Sequence, residues 1–401
     1  MKFLLIVALW IPCFAVSAVD GPNEKPDPVA AGMSAQRLAV IPIRMNEYVA
    51  ANQTAGTVTV VARHGRIASF EAVGYQDLES KRPMRRDTMF RIASLTKPIT
   101  CAGIMALVDE GKLSVIDPVE KYLPEYKGLM VDSCGTRSGY GCQGGPPARP
   151  INIEDLMTHT SGLPSSLGLP DGTGPKTLAG LAAVGARLRL LFDPGTGWNY
   201  SNLGYDVLGR IIEVVSEQPF DVFLQQRIFD PLKMKDTYFF VPADKQDRLA
   251  TLYTLADGVL KRTPRPAEPP SIPMPAGGLV STADDILRFN LMMANKGNLE
   301  DTRVLSSAAV TLMATSHTGN LKAGWVPGVG HGYGYEVVRN ADGMFRYNSI
   351  GSYVKGGAYR TYEWVDPEKD LVGVFMMQLT NGGDTADEIN SFMAMCAAAV
   401  E

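Results

Sequence analysis

The chain has 401 residues, enough for one large domain or two lobes with substantial cores. Apolar residues make up 45% and charged residues 20%, the composition of an ordinary soluble globular protein. A net charge of −4 leaves no basic footprint for nucleic acid or an anionic membrane, and both are excluded as partners.

Residues 1–18 read as a secretory signal peptide. Lys2 supplies the positive start, Phe3 to Ile11 the apolar stretch, and Val16-Ser17-Ala18 a small-residue cleavage site. The apolar stretch is short for a membrane span, so no stable membrane anchor is expected and the product should be periplasmic or secreted. Cys13 raises a lipoprotein alternative, although Trp10-Ile11-Pro12 is a poor lipidation context. Residues 19–32 follow as a polar, proline-rich linker, and 33–401 form the folded domain. In an oxidising compartment Cys134 and Cys142, which flank a glycine-rich loop, are able to pair. Cys101 lies in an apolar run and reads as a small core residue. No Cys/His spacing resembles a metal site, and no cofactor is implied.

A helical stretch over 34–51 leads into two runs of strand composition, 57–62 and 67–73, with a turn at His64-Gly65 that predicts a β-hairpin. A helix is expected over Ser94 to Gly111, where Pro98 is tolerable because it falls in the first turn. Residues 202–217 form an amphipathic pattern with Leu203, Val207, Leu208, Ile211 and Ile212 on one side. Thr282 to Asp285 reads as a capping box for a helix running to about 295. Residues 129–150 and 256–276 are rich in Gly or Pro and read as loops that shape a pocket. Strand patterns return at 333–338, 359–365 and 371–378, and a helix over 386–400 closes the chain. The expected class is therefore α/β (α+β): an antiparallel sheet lobe from both chain ends (33–90 and 331–401) flanked by helices, with an inserted, mostly helical lobe (91–330).

Ser94 and Lys97 stand one helical turn apart on one face. A partly desolvated lysine beside a serine hydroxyl is able to give up its proton and activate that hydroxyl as a nucleophile. The bland alternatives are an N-cap serine and a surface lysine, and the same spacing recurs at Ser352 and Lys355. Two further short motifs follow in order, Tyr200-Ser201-Asn202 and Lys355-Gly356-Gly357.

This ordered set resembles the three signature motifs of the serine β-lactamase and penicillin-binding protein superfamily. The segments Phe90 to Thr100, Leu156 to Leu163, Pro194 to Asn202 and Ala276 to Thr282 resemble the class C β-lactamase-like branch. Thr361 to Pro367 is similar to the esterases of that branch, the family VIII carboxylesterases. The resemblance implies a β-lactamase-like fold and an acyl-enzyme on Ser94. Lys97 and Tyr200 would move the protons, and Asn202 would bind Lys97 or the substrate, unless it is simply the N-cap of the next helix. Lys355, Gly356 and Gly357 would lie on an edge strand, with the Ser94 and Ala358 amides as oxyanion hole. It points to a small-molecule ester as substrate, with a β-lactam or peptide substrate, or a penicillin-binding receptor of little turnover, as alternatives. In this resemblance His159 belongs to a structural loop, and no G-x-S-x-G elbow occurs to pair with it. Trp198, Tyr140 and Tyr353 are aromatic residues that either line the pocket or pack. The chain departs from both relatives at Lys355-Gly356-Gly357, which keeps the cation of the lactamases but lacks the hydroxyl that follows it there.

Overall fold

A computed structural model describes residues 25–132, 144–169, 173–264, 271–340, 342, 347–380 and 387–401. The expected signal peptide, the first part of the expected linker, Cys13, Tyr140, Cys134 and Cys142 lie outside these residues. So do parts of both loops expected to shape a pocket. Residues 27–33 already belong to the folded body. Ala31 is fully buried, the Asp27 amide donates to the Ile67 carbonyl, and Ser34 bonds back to Ala399 near the C-terminus.

The centre is an eight-stranded antiparallel sheet among the described residues, built from both chain ends. Its order runs Val329–His331, Glu336–Val338, Tyr353–Gly356, Tyr362–Asp366, Leu371–Met376, Gly56–Arg63, Arg66–Asp77 and Arg82–Pro83. The expected hairpin joins Gly56–Arg63 to Arg66–Asp77. His64 and Gly65 both take positive φ (53° and 72°), the geometry of a tight two-residue turn that matches strand twist. Alternation sorts the strands' two faces. Val58, Val60, Val372, Val374 and Met376 face the main core, while Val61, Leu371, Phe375 and Trp364 face the layer formed by the helices Val40–Ala50 and Asp387–Ala398. Gly373 is required here, since a Cβ would sit 2.2 Å from the Trp364 ring.

On the other face lie the helix Ala283–Ala294 and the helical region. The helix Thr96–Asp109 is buried at every position from Thr96 to Leu107, so it is a central helix rather than an amphipathic surface one. The helix Asn202–Ser216 packs on it, with Leu203, Val207, Leu208, Ile211 and Ile212 buried in the same core.

Several expectations need correction. The helix begins at Thr96, because Ala93 takes φ +48° and the segment Ala93–Leu95 forms a 3₁₀ turn that carries Ser94. The capping box at Thr282 is half formed: Thr282 accepts from the Asp285 amide, but the Asp285 carboxylate turns away to Asp236 and Thr237. Within 256–276, Val259–Arg262 is a strand that pairs with Tyr253–Ala256, which in turn pairs with Leu379–Thr380. The strand expected from Tyr333 starts at Glu336, because Gly334 (φ +87°) bends the chain tightly against Pro98. The strand expected from Tyr359 starts at Tyr362, after a turn in which Arg360 takes φ +62°.

Candidate active site

Three segments meet at Ser94. The first is the 3₁₀ turn itself. Ala93 sits in the left-handed region directly before the serine, and Thr96 Oγ1 donates to the Ala93 carbonyl at 2.7 Å to hold it there. The strand ending at Gly356 supplies the second wall. A Cβ on Gly357 would lie 2.5 Å from the Ile92 carbonyl, and Thr361 Oγ1 donates to that same carbonyl at 2.9 Å. Glycine at 357 therefore lets the Lys355 strand close on the backbone just before Ser94. The third wall is the segment Tyr200–Asn202.

Lys97 lies at the centre and has no exposed surface. Its Nζ donates to Ser94 Oγ at 3.2 Å, to Asn202 Oδ1 at 2.8 Å and to the Ala276 carbonyl at 2.6 Å. Three acceptors match its three protons. Burial, assisted by the nearby Lys355 charge, nevertheless pushes its ammonium down to about 8. Tyr200 approaches the same point: burial would raise its phenol, but the charges of Lys355 and Lys97 and hydrogen bonding with Ser94 and Lys97 outweigh it and bring the phenol down to about 8. The two ammonium groups lie 4.8 Å (Lys97) and 4.9 Å (Lys355) from the Tyr200 ring centroid. Burial and the neighbouring charges thus bring the lysine and the phenol beside Ser94 to similar values, an arrangement able to take a proton from a serine hydroxyl.

Ser201, not Asn202, is the N-cap of the following helix. It accepts from the Gly204 amide and donates to the Pro164 carbonyl. That frees the Asn202 amide to reach Lys97. His159 is scaffold here: it is buried, its Nδ1 accepts the Ser201 amide proton at 3.1 Å, and burial together with the charges of His331, Lys355 and Lys97 keeps it neutral. The segment around it carries the Tyr200 loop, since Asn199 bonds to His159 and Leu163 and Asn202 to Ser165.

Lys355 is nearly fully buried and sits in register with Glu363. Its strand is internal to the sheet, contrary to the edge expected, because Glu336–Val338 pairs with it at Tyr353 and Val354. Beyond that point Lys355 and Gly356 have, among the described residues, a partner strand on one side only, in Tyr362–Asp366. Ala358 is exposed in the turn that follows. Tyr353 is buried against Tyr335 and packs rather than lines the site. Cys101 is a buried core thiol, pushed up to about 12 by burial.

Sequence reasoning missed three participants. Ala276 supplies a carbonyl to Lys97, for which no side chain gave a signal. Asp206 is buried one turn after Asn202, and that i,i+4 spacing was its legible sign. Trp325, 68% exposed, lies 5.6 Å from the Tyr200 ring and 5.5 Å from Trp198, forming an aromatic wall beside the phenol. No group of His, Cys, Asp or Glu able to hold a metal exists among the described residues.

A family model described as Beta-lactamase matches residues 44–394. Protein Rv1367c of Mycobacterium tuberculosis (strain ATCC 25618 / H37Rv) is 37% identical over 83% of this chain and 88% of its own length. Esterase EstB of Burkholderia gladioli is 31% identical over 88% of this chain and 93% of its own length. Among solved structures, EstCE1, described as a hydrolase with promiscuous acyltransferase activity, superposes with a TM-score of 0.77 at 26% identity, over 90% of this chain and 99% of its own.

Proposed function

The chain belongs to the beta-lactamase family and is a serine hydrolase of that family, and from this premise we propose that it is a carboxylesterase of short-chain esters acylated on Ser94. The observation that carries the reading is the wholly buried Lys97, hydrogen-bonded to Ser94 Oγ and coupled to a phenol lowered by two ammonium groups. Ser94 Oγ attacks the ester carbonyl while its proton passes to the Tyr200 phenolate, with Lys97 holding both oxygens in line. The oxygen of the tetrahedral intermediate sits between the Ser94 and Ala358 amides. Tyr200 then returns the proton to the leaving alcohol, which departs as the acyl-enzyme forms. Water, deprotonated by Tyr200, attacks that ester in turn, and as the bond to Ser94 Oγ breaks Tyr200 hands the proton to Oγ, which releases the carboxylic acid and restores the free enzyme.

The retained Lys355 is what favours the second reading, a β-lactamase or D-alanyl peptidase in which a substrate carboxylate meets that ammonium. Against it, Lys355 is only 1% exposed and directs its charge at Tyr200, and Gly356 offers no hydroxyl. The test is burst kinetics with p-nitrophenyl butyrate and with nitrocefin, beside Ser94→Ala. Steady ester turnover that is lost in the variant supports the esterase, and faster nitrocefin turnover supports the second reading. Trapped label without turnover identifies a penicillin-binding receptor. Full turnover in Ser94→Ala refutes the assignment. Export is part of the same proposal: N-terminal sequencing of secreted protein should begin at Val19. No helix among the described residues is long and apolar enough to cross a membrane.

A further inference from the structure

Asp206 is a carboxylate in an apolar place. Only 6% of it is exposed, Leu203, Val207, Leu208 and Ile211 of its own helix are core residues, and its Oδ1 has no hydrogen-bond partner among the described residues. Leaving a buried carboxylate oxygen unpaired is costly unless a nearby cation offsets it. Two links tie Asp206 to the lysine beside Ser94. The Ala276 amide and the Lys97 charge both favour the ionised form of its carboxyl, and the carbonyl of Ala276 accepts from Lys97 Nζ. One turn earlier on the same helix face, Asn202 is a second acceptor of that ammonium. Two of the three groups that grip Lys97 are thus set by the helix turn that ends at Asp206.

Resting on the hydrolase reading above, we propose that Asp206 is a positioning residue for Lys97: it anchors Ala276 against the ammonium and supplies the buried negative charge that keeps Lys97 cationic, so that Tyr200 rather than Lys97 is the proton acceptor.

The charges around the site support this. Two lysines, Lys97 and Lys355, face two groups able to be anionic, the Tyr200 phenolate and Asp206, whose carboxyl burial pushes up to about 7 against the opposing pull of Lys97 and the Ala276 amide. The remaining titratable neighbours are held neutral or pushed that way by burial. Cys101 and Tyr205 lie beside Lys97, and Tyr126 faces Asp206 from the turn Pro124–Tyr126. His159 and His331 stand behind Tyr200, and Glu363, pushed up to about 8, and Glu336 stand by Lys355. With Asp206 ionised, two cations face two anions. Without its charge the site holds one cation too many, and Lys97 is the group already lowered.

The sign follows: removing an anion favours loss of a proton from the Lys97/Tyr200 pair. In Asp206→Asn, which keeps an acceptor carbonyl toward the Ala276 amide, the acidic limb of kcat/KM for p-nitrophenyl butyrate should move to lower pH by about one unit. The plateau should fall only severalfold. Asp206→Ser, which removes charge and anchor together, should show the same displacement with a plateau at least about tenfold lower. A merely structural aspartate would lower the plateau without moving the limb, so superimposable limbs, or a limb moved to higher pH, overturn the proposal. A second readout needs no turnover: the ultraviolet phenolate band of each protein minus that of its Tyr200→Phe counterpart. If Asp206→Asn leaves that titration where the parent has it, the proposal fails even if the protein proves not to be an esterase. Failure of the hydrolase reading shows separately, as ester turnover indifferent to Ser94→Ala.

Discussion

Ser94–Lys97 and Ser352–Lys355 are the same pattern, a serine and a lysine three residues apart, and the fold treats them in opposite ways. In the first the chain coils, the two side chains fall on one face, and Lys97 Nζ bonds to Ser94 Oγ. In the second the chain is extended from Tyr353 to Gly356, where an odd spacing places side chains on opposite faces. Lys355 reaches the Tyr200 ring, while Ser352 is buried with a hydroxyl that has no partner among the described residues. A short motif thus acquires chemical meaning only with its secondary structure: two lysines with one spacing both end at the same phenol, but only one serine does.

The sharpest way to break this contrast is at the serines. Ser94→Ala should lower kcat/KM for p-nitrophenyl butyrate by about 10⁴-fold or more, as loss of a nucleophile does. Thermal melting should stay near the parent, since Ser94 is only half-buried. Lys97→Ala comes next, at about 10²–10⁴-fold, the range for a group that works in proton transfer. Retention of more than a tenth of parental activity in either variant would equate the two copies and undo the distinction.

Lys355 should matter differently, through the pH profile. It lowers both Tyr200 and Lys97, so replacing it by methionine raises both, and the acidic limb of kcat/KM, set near 8 in the parent, moves to higher pH. About one unit is expected for a cation some 5 Å from the phenol, hence about a tenfold loss at pH 7 that alkali recovers. Asp206→Asn should move the same limb the other way. Equal displacement in one direction by both substitutions would show that charge does not govern the pair. A smaller effect is expected of Trp325→Ala, which removes the aromatic wall beside Tyr200: KM for aryl esters should rise severalfold with kcat little changed.

Local signals explain what was legible. His64-Gly65 and the helix Asn202–Ser216 follow from turn chemistry and periodicity within a few residues, and both stand as expected. Asp257-Gly258 is the same kind of hairpin signal, with both residues at positive φ, yet the prolines downstream made the whole segment read as loop. The motifs named Ser94, Lys97, Tyr200, Asn202 and Lys355, and the fold brings these five together. What the motifs could not name are partners that act through backbone or through tertiary placement. The Ala276 carbonyl has no side-chain signature. Trp325 comes from a distant loop, and the strained Ala93 that keeps Ser94 out of the helix has no residue type to announce it. The position of Lys355 within the sheet depends on pairing with Glu336–Val338, a non-local fact.

The smallest expected effect tests the silent half of the comparison. Ser352 is fully buried, and its hydroxyl meets neither donor nor acceptor among the described residues. A hydroxyl taken out of water without replacement of its hydrogen bonds opposes folding by about 1–3 kcal/mol, whereas the methyl of alanine carries no such penalty. Ser352→Ala loses little packing volume, so it should raise Tm by about 1–4 °C in a domain of this size. The backbone bonds that fix the strand start, from Ser352 N–H to the Ser349 carbonyl and from Val338 N–H to the Ser352 carbonyl, do not involve the side chain and persist. Lys355 therefore keeps its place over Tyr200, and ester turnover should stay within about twofold of the parent, as for substitutions away from reacting groups. A tenfold loss with an unchanged melt would mean that Ser352 serves the site after all, and that spacing alone, not the helix, carries the motif's meaning.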